Sequence, residues 1–173
     1  MTYINTNTLQ YPVSEQDIRD ANPNTSFPAS FIGLDLADFG YAQVTPADAP
    51  VYNPLAEYLQ DSYEASSSGY NQVWTKISIP ADQVMSNCIA AIQHHLDTVV
   101  MQRGYDSILS ATSYAPSTHP VFQAEALACI AWRDSVWLAG QAYLAEVQAG
   151  TKPIPTESEL LAILPRMVWP EGN

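Results

Sequence analysis

Basic residues are scarce in this chain. Six lysines and arginines stand against 18 acids, leaving a formal charge of −12. A surface of that sign repels phosphate backbones, so nucleic acid is not an expected partner. Charge of either sign is sparse as well, at 14% of residues, against about 25% in an average globular chain. Asn, Gln, Ser and Thr fill the polar positions instead. A weakly charged surface is poorly guarded against association and suits a subunit that stays inside an assembly. Glycine is limited to seven residues. No GxGxxG or P-loop run occurs, so a phosphate-cradling loop is not expected. Two cysteines, Cys88 and Cys129, do not make a disulfide framework. No apolar run reaches the roughly 18 residues of a transmembrane helix. The opening MTYINTNTLQ has neither the basic region nor the apolar stretch of a signal peptide. The expectations are synthesis in the cytoplasm and no membrane partner.

What is present is enough for a core. Apolar residues make 47% of the 173 positions, which fits one domain or two small ones. The chain changes character near residue 80, and the predicted class is α+β. Residues 1–80 form an N-terminal β/loop docking module and residues 81–173 a C-terminal helical module. In the first, Pro12, Pro23, Pro28, Pro46, Pro50, Pro54 and Pro80 interrupt helices repeatedly. Ser14 is the exception, because it can cap a short helix with Asp17 as the acid of a capping box. Gly40–Thr45 and Tyr70–Ile77 alternate as strands do. The second run places Tyr70, Gln72, Trp74 and Lys76 on one face. Two to four short strands are expected.

The helical module is read as an antiparallel hairpin followed by a short third helix. Pro80 opens the first long helix, whose apolar face is Val84, Met85, Cys88, Ile89, Ile92, Leu96, Val99 and Val100. Gly104 ends it, with Arg103 at the negative end of the dipole. The second begins near Val121 and presents Phe122, Ala126, Cys129, Ile130, Arg133, Val136, Trp137, Gly140, Tyr143, Leu144 and Val147. Gly150 closes it. Thr156 then caps the third helix, with Glu159 as its capping-box acid.

Candidate chemistry is thin. His94 and His95 are adjacent on a helix and point about 100° apart. No CxxC or HxxxH spacing joins them to Cys88, Cys129 or His119, so no metal site and no cofactor are expected. Ser113 or Ser117 beside His119 would be the elements of a small hydrolase, but no GxSxG elbow holds either serine. No catalytic residue is assigned. Arg133 lies on an otherwise apolar face and must find an anion or reach solvent, with Glu125 or Asp106 as the candidate partner. Aromatic residues with arginine also mark protein interfaces.

The run from Tyr11 to Pro28, YPVSEQDIRDANPNTSFP, resembles the opening of bacteriophage tail-fibre-region proteins. So do the Gly40–Val44 segment and Tyr52-Asn53-Pro54. The second half resembles a helical module of the same neighbourhood. It does so through Arg103–Ile108, Ser113-Tyr114-Ala115, Phe122 with Ala124-Glu125-Ala126, Trp132-Arg133-Asp134 with Trp137, and Pro155-Thr156 leading to Leu160–Pro165. The resemblance implies a structural tail component of the virion that links the tail fibre to the baseplate or tail tip. The alternative is a fibre assembly chaperone that leaves before the particle is complete. Its partners would be the fibre protein, baseplate or tail-tip proteins, and further copies of itself. The interface candidates are Tyr11, Phe27, Tyr41, Trp74, Arg133, Trp137 and Trp169.

Overall fold

The computed structural model describes residues 1–171. It is a mixed α+β protein with a four-stranded sheet and five helices. The strands are β1 (Thr2–Asn5), β2 (Tyr41–Thr45), β3 (Glu57–Ser66) and β4 (Gly69–Ser78). The helices are α1 (Glu15–Ala21), α2 (Ala81–Met101), α3 (Ile108–Ser113), α4 (Pro120–Gln148) and α5 (Glu157–Ala162). Among the described residues no helix is long and apolar enough to cross a membrane. Backbone contacts divide the chain into two compact units. One is Met1–Tyr52 with Tyr58–Ile77; the other is Asn53–Glu57 with the chain from Ser78 onward.

In the sheet unit, local chemistry sets α1. The Ser14 hydroxyl accepts from the Asp17 backbone N–H while the Asp17 carboxylate accepts from the Ser14 backbone N–H at 2.8 Å, as the sequence predicts. The strand order is β1-β2-β4-β3. β1 and β2 run antiparallel with Tyr3 opposite Gln43. β2 and β4 run parallel, with Val44 opposite Tyr70 and Thr45 opposite Asn71. Ser67-Ser68 turns β3 into β4. The sequence predicts short strands, whereas β3 and β4 have 10 residues each. β3 is missed because Glu57, Gln60, Asp61 and Glu64 are poor strand formers. Its alternation of half-buried and exposed positions is nonetheless regular. The core of this unit is small: Tyr3, Val13, Ile18, Phe31, Leu36 and Tyr41 pack in one cluster, and Ile4 and Val44 are buried as well.

In the helical unit, α2 buries Val84, Cys88, Ile92, Leu96 and Val100 at every fourth position. They pack with Cys129, Trp132, Val136 and Leu144 of α4, with Ile108 and Ala111 of α3, and with Leu160 and Leu164 at α5. Ile92 meets α4 at Gly140, where a Cβ would lie 2.6 Å from the Ile92 Cδ1. Residues 53–57 join this unit through Asn53 Nδ2 donating to the Pro155 carbonyl at 3.0 Å and Ile79 N–H donating to the Ala56 carbonyl at 2.8 Å. Thr156 and Glu159 form the predicted capping box of α5. α3 stands between the two long helices, so α5 is the fourth helix of this unit rather than its third. Gly104 and Gly150 follow the two long helices with positive φ values of 99° and 71°, as terminating residues should.

The predicted faces are partly rotated. Ile89 and Phe122 are both 44% exposed. α4 turns Glu125 and Trp132 inward instead, and Trp132 is 5% exposed. Periodicity alone keeps a glutamate out of the core. Here Glu125 has the partners that make its burial tolerable.

Candidate functional site

The densest group of polar and aromatic side chains in the helical unit is built around that glutamate. α2 ends at Met101, and the following turn places Arg103 and Tyr105 on either side of Gly104. Both reach Glu125. Arg103 donates to Oε1 through Nε at 2.9 Å and Nη2 at 2.6 Å. The Tyr105 hydroxyl donates to Oε2 at 2.7 Å. Burial alone would raise the Glu125 pKa, but the bonds from Tyr105 and Arg103 outweigh it and hold the carboxyl below its ordinary range. The same arrangement raises the Tyr105 pKa, through burial first and the Glu125 hydrogen bond second. Trp169 lies nearly parallel to the Tyr105 ring, at 6.4 Å and 12°, with the Arg103 guanidinium 5.5 Å from its own centroid.

Arg133 does not take Glu125 or Asp106. It donates to the neighbouring Asp134 at 3.0 Å, and both side chains reach solvent. Glu125 is eight residues away on the same helix, about 12 Å along the axis, while Arg103 approaches it directly from the turn. Trp137 is half-buried and lines an apolar groove with Met85, Ile89 and Leu144.

The other four interface candidates lie in the sheet unit. Tyr41 is buried in its core. Phe27 packs on that core, with ring centroids 5.0 Å from Phe31 and 5.1 Å from Phe39. Tyr11 donates its hydroxyl to Asp61 Oδ2 at 2.9 Å and packs against Tyr63 at 5.5 Å. Burial and that hydrogen bond push its pKa up to about 12. Tyr63 meets Tyr70 at 5.8 Å, and Gln72 donates to Asp61 at 3.4 Å. Trp74 donates its ring N–H to the Ala47 carbonyl at 2.9 Å. The candidates therefore do not form one site. Tyr11 packs on a tyrosine strip formed by Tyr63 of β3 and Tyr70 of β4, while Trp74 of β4 is bonded to the loop at Ala47. Trp137 and Trp169 belong to separate features of the helical unit.

The residues considered for chemistry have other roles. The Ser113 hydroxyl donates to the Ser110 carbonyl at 2.7 Å, and the Ser117 hydroxyl accepts from the His119 backbone N–H at 3.2 Å. The His119 ring packs on Phe122 at 4.5 Å. Cys88 and Cys129 are buried free thiols in one core, and burial pushes the Cys129 pKa up to about 11. Among the described residues no three His, Cys, Asp or Glu side chains are grouped to hold a metal ion.

One surface feature remains. The side of α4 opposite its buried face carries Leu127 at 54% and Leu138 at 68% exposure, with Ala124, Ala131, Ala142 and Ala145 also exposed. Asp134 is the ionised residue of that side. α4 therefore carries apolar residues on both sides, those of the exposed side being interspersed with Gln123, Asp134 and Gln141. The Leu127/Leu138 spacing of 11 residues was in the sequence, and three helical turns superimpose the two. Comparison of the chain with protein-family models, with curated proteins and with solved structures finds no match.

Proposed function

We propose that this chain is a non-enzymatic structural component of a bacteriophage tail, linking the tail fibre to the baseplate or tail tip. In this reading an N-terminal β/loop module docks on one partner. A C-terminal module, an antiparallel pair of long helices with a short further helix, takes a second partner. The observation that carries the proposal is the uncovered outer side of α4, with Leu127 and Leu138 exposed on a 29-residue helix. Such a side is costly to leave in water and useful in an assembly. The resemblance of Tyr11–Pro28 and of Trp132-Arg133-Asp134 with Trp137 to tail-fibre-region proteins supplies the kind of assembly. The tyrosine-rich strip on β3 and β4 offers a second contact of a composition common at interfaces.

Mass spectrometry of purified particles tests the proposal. The chain is expected in the virion at a fixed ratio to the fibre protein. A double variant, Leu127→Glu with Leu138→Glu, is expected to keep its circular dichroism and lose incorporation. Absence of the wild-type chain from particles, with the fibre trimerising only when the chain is co-expressed, would replace this reading by that of an assembly chaperone.

A further inference from the structure

The exposed side of α4 has a regular spacing as well as an apolar character. Ala124, Leu127, Ala131, Asp134, Leu138 and Gln141 follow one another at alternating steps of three and four residues, and all six are exposed. That is the spacing of a coiled-coil seam, the narrow stripe along which one helix meets another.

The stripe also complements itself. Turned end for end about the point between Trp132 and Arg133, it sets Leu127 opposite Leu138, Ala124 opposite Gln141 and Ala131 opposite Asp134. Each leucine meets a leucine, and each polar side chain meets an alanine that leaves it room. A two-fold interface between identical helices has this property, because residue i meets j and j meets i.

Charge points to the same occupant. The chain carries a formal charge of −12, so two copies repel one another over most of their surface. Between Ala124 and Gln141 the ionised residues are Glu125, which is turned inward onto Arg103, and the adjacent Arg133–Asp134 pair. The stripe thus carries no net charge. It gives a basic or an acidic partner nothing to select, and it lets one acidic copy approach another.

We propose that this side of α4 is the interface of a homodimer in which two α4 helices pair antiparallel about the Trp132–Arg133 point. The proposal rests on the reading of that side as an assembly contact, and it names what covers it. Antiparallel order follows from Asp134. Parallel helices in register would set Asp134 directly against its twin. Antiparallel helices set it against Ala131, with the twin displaced about 4.5 Å along the axis and each carboxylate held by its own Arg133. A polar residue in a seam costs stability and specifies register. Half-buried Ile130 and Trp137 share one flank of the stripe, so the same rotation brings Ile130 of one copy beside Trp137 of the other.

Sedimentation equilibrium of the full chain tests the pairing. The expected mass is twice the 19.0 kDa of one chain. Leu127→Glu with Leu138→Glu is expected to return the mass to 19.0 kDa with unchanged circular dichroism. Direction is read by cross-linking under copper phenanthroline, the native Cys88 and Cys129 being buried. A mixture of Leu127→Cys and Leu138→Cys chains is expected to form a disulfide-linked dimer, and either variant alone is not. A wild-type chain that stays monomeric at every concentration overturns the proposal. If the double variant also fails to enter particles, another virion protein covers α4 in place of a second copy. A dimer indifferent to the double variant overturns the proposal too, as does a Leu127→Cys chain that cross-links to itself. The tail reading is judged apart from this by mass spectrometry of particles. A dimer in solution with no chain in the virion would remove that reading and uphold the pairing.

Discussion

The two units of this chain are held together by different means. The helical unit draws Val84, Cys88, Ile92, Leu96 and Val100 from one helix into a core with Cys129, Trp132, Val136 and Leu144 from another. That is burial at a regular spacing, non-directional and tolerant of small shifts. The sheet unit gathers six buried apolar residues in its core cluster, with Ile4 and Val44 buried beside them, and of the six Val13, Phe31 and Leu36 lie outside any regular helix or strand. Its β3–β4 hairpin contains no fully buried residue. Directional contacts hold this unit instead: Tyr11 to Asp61, Trp74 to Ala47, and Arg19, which donates to the Pro28 carbonyl at 2.6 Å and lies 4.5 Å from the Phe31 centroid. The helical unit should therefore yield most to lost volume, and the sheet unit to lost polar atoms.

The largest effect is expected at Trp132. Its ring is 5% exposed and its N–H is bonded to Pro165. Trp132→Ala should cost about 3–5 kcal/mol in urea unfolding, the range for truncating a core tryptophan. Trp137→Ala should cost clearly less, because half-buried Trp137 borders a groove that solvent can enter. Equal losses in the two variants would show that both tryptophans are core. Glu125 is expected next. Glu125→Ala leaves the Tyr105 hydroxyl and the Arg103 guanidinium without their acceptor, a loss of about 1–3 kcal/mol, moderated because Arg103 is partly exposed. The sign with pH follows from the lowered carboxyl pKa. The folded protein binds the Glu125 proton less well than the unfolded chain. Its stabilisation is thus full above the ordinary carboxyl value and lost as pH falls through the folded one. Urea midpoints of wild type and Glu125→Gln should converge on acidification, and a constant gap from pH 7 to pH 3 would contradict this.

Legibility follows the same division. Capping signals were readable at both ends of the chain, since Ser14 with Asp17 and Thr156 with Glu159 need only neighbours in sequence. The every-fourth-residue face of α2 was readable for a similar reason. α4 was not fully readable, because its faces differ little in hydrophobicity. Which face is buried is settled by Arg103 and Tyr105 arriving from an earlier turn. That also misdirected the partner of Arg133, for which Glu125 looked available in sequence but is already occupied. In the sheet unit, β3 escaped notice because Asp61 stands at an inward position of the strand. The Tyr11 hydroxyl, 50 residues earlier, and the Gln72 amide supply its partners there. Long-range polar pairs of this kind leave no periodic trace.

Tyr11→Phe isolates one such pair. It removes a single oxygen and keeps the ring against Tyr63. Asp61 then retains only the longer bond from Gln72. A loss of about 1 kcal/mol is expected, read as faster hydrogen exchange in β3. A second readout is the alkaline absorbance titration of the tyrosines, from which a group ionising at about 12 should disappear. An unchanged exchange rate would mean that the sheet unit does not depend on this bond, which would remove the main contrast with the helical unit.

The smallest effect is expected at Gly140, where volume is added to the helical core rather than removed. A methyl there would stand 2.6 Å from the Ile92 Cδ1, too close without movement. The obstructing atom is the far end of a side chain, not backbone, so Ile92 can turn aside at some cost in packing. Overpacking of this kind costs about 1–3 kcal/mol when nothing yields. Replacing glycine by alanine in a helix interior returns about 0.5–1 kcal/mol. With Ile92 turned aside the two nearly cancel, and Gly140→Ala should change the unfolding free energy from urea titration by less than about 1 kcal/mol in either direction. Ile92→Val in the same background relieves the clash, so the double variant should be more stable than the sum of the two single changes predicts. Strict additivity would mean that α2 and α4 do not meet at this pair. A large loss in Gly140→Ala alone would mean that Ile92 has no room to move, and that burial in the helical unit is as position-specific as the hydrogen bonds of the sheet unit.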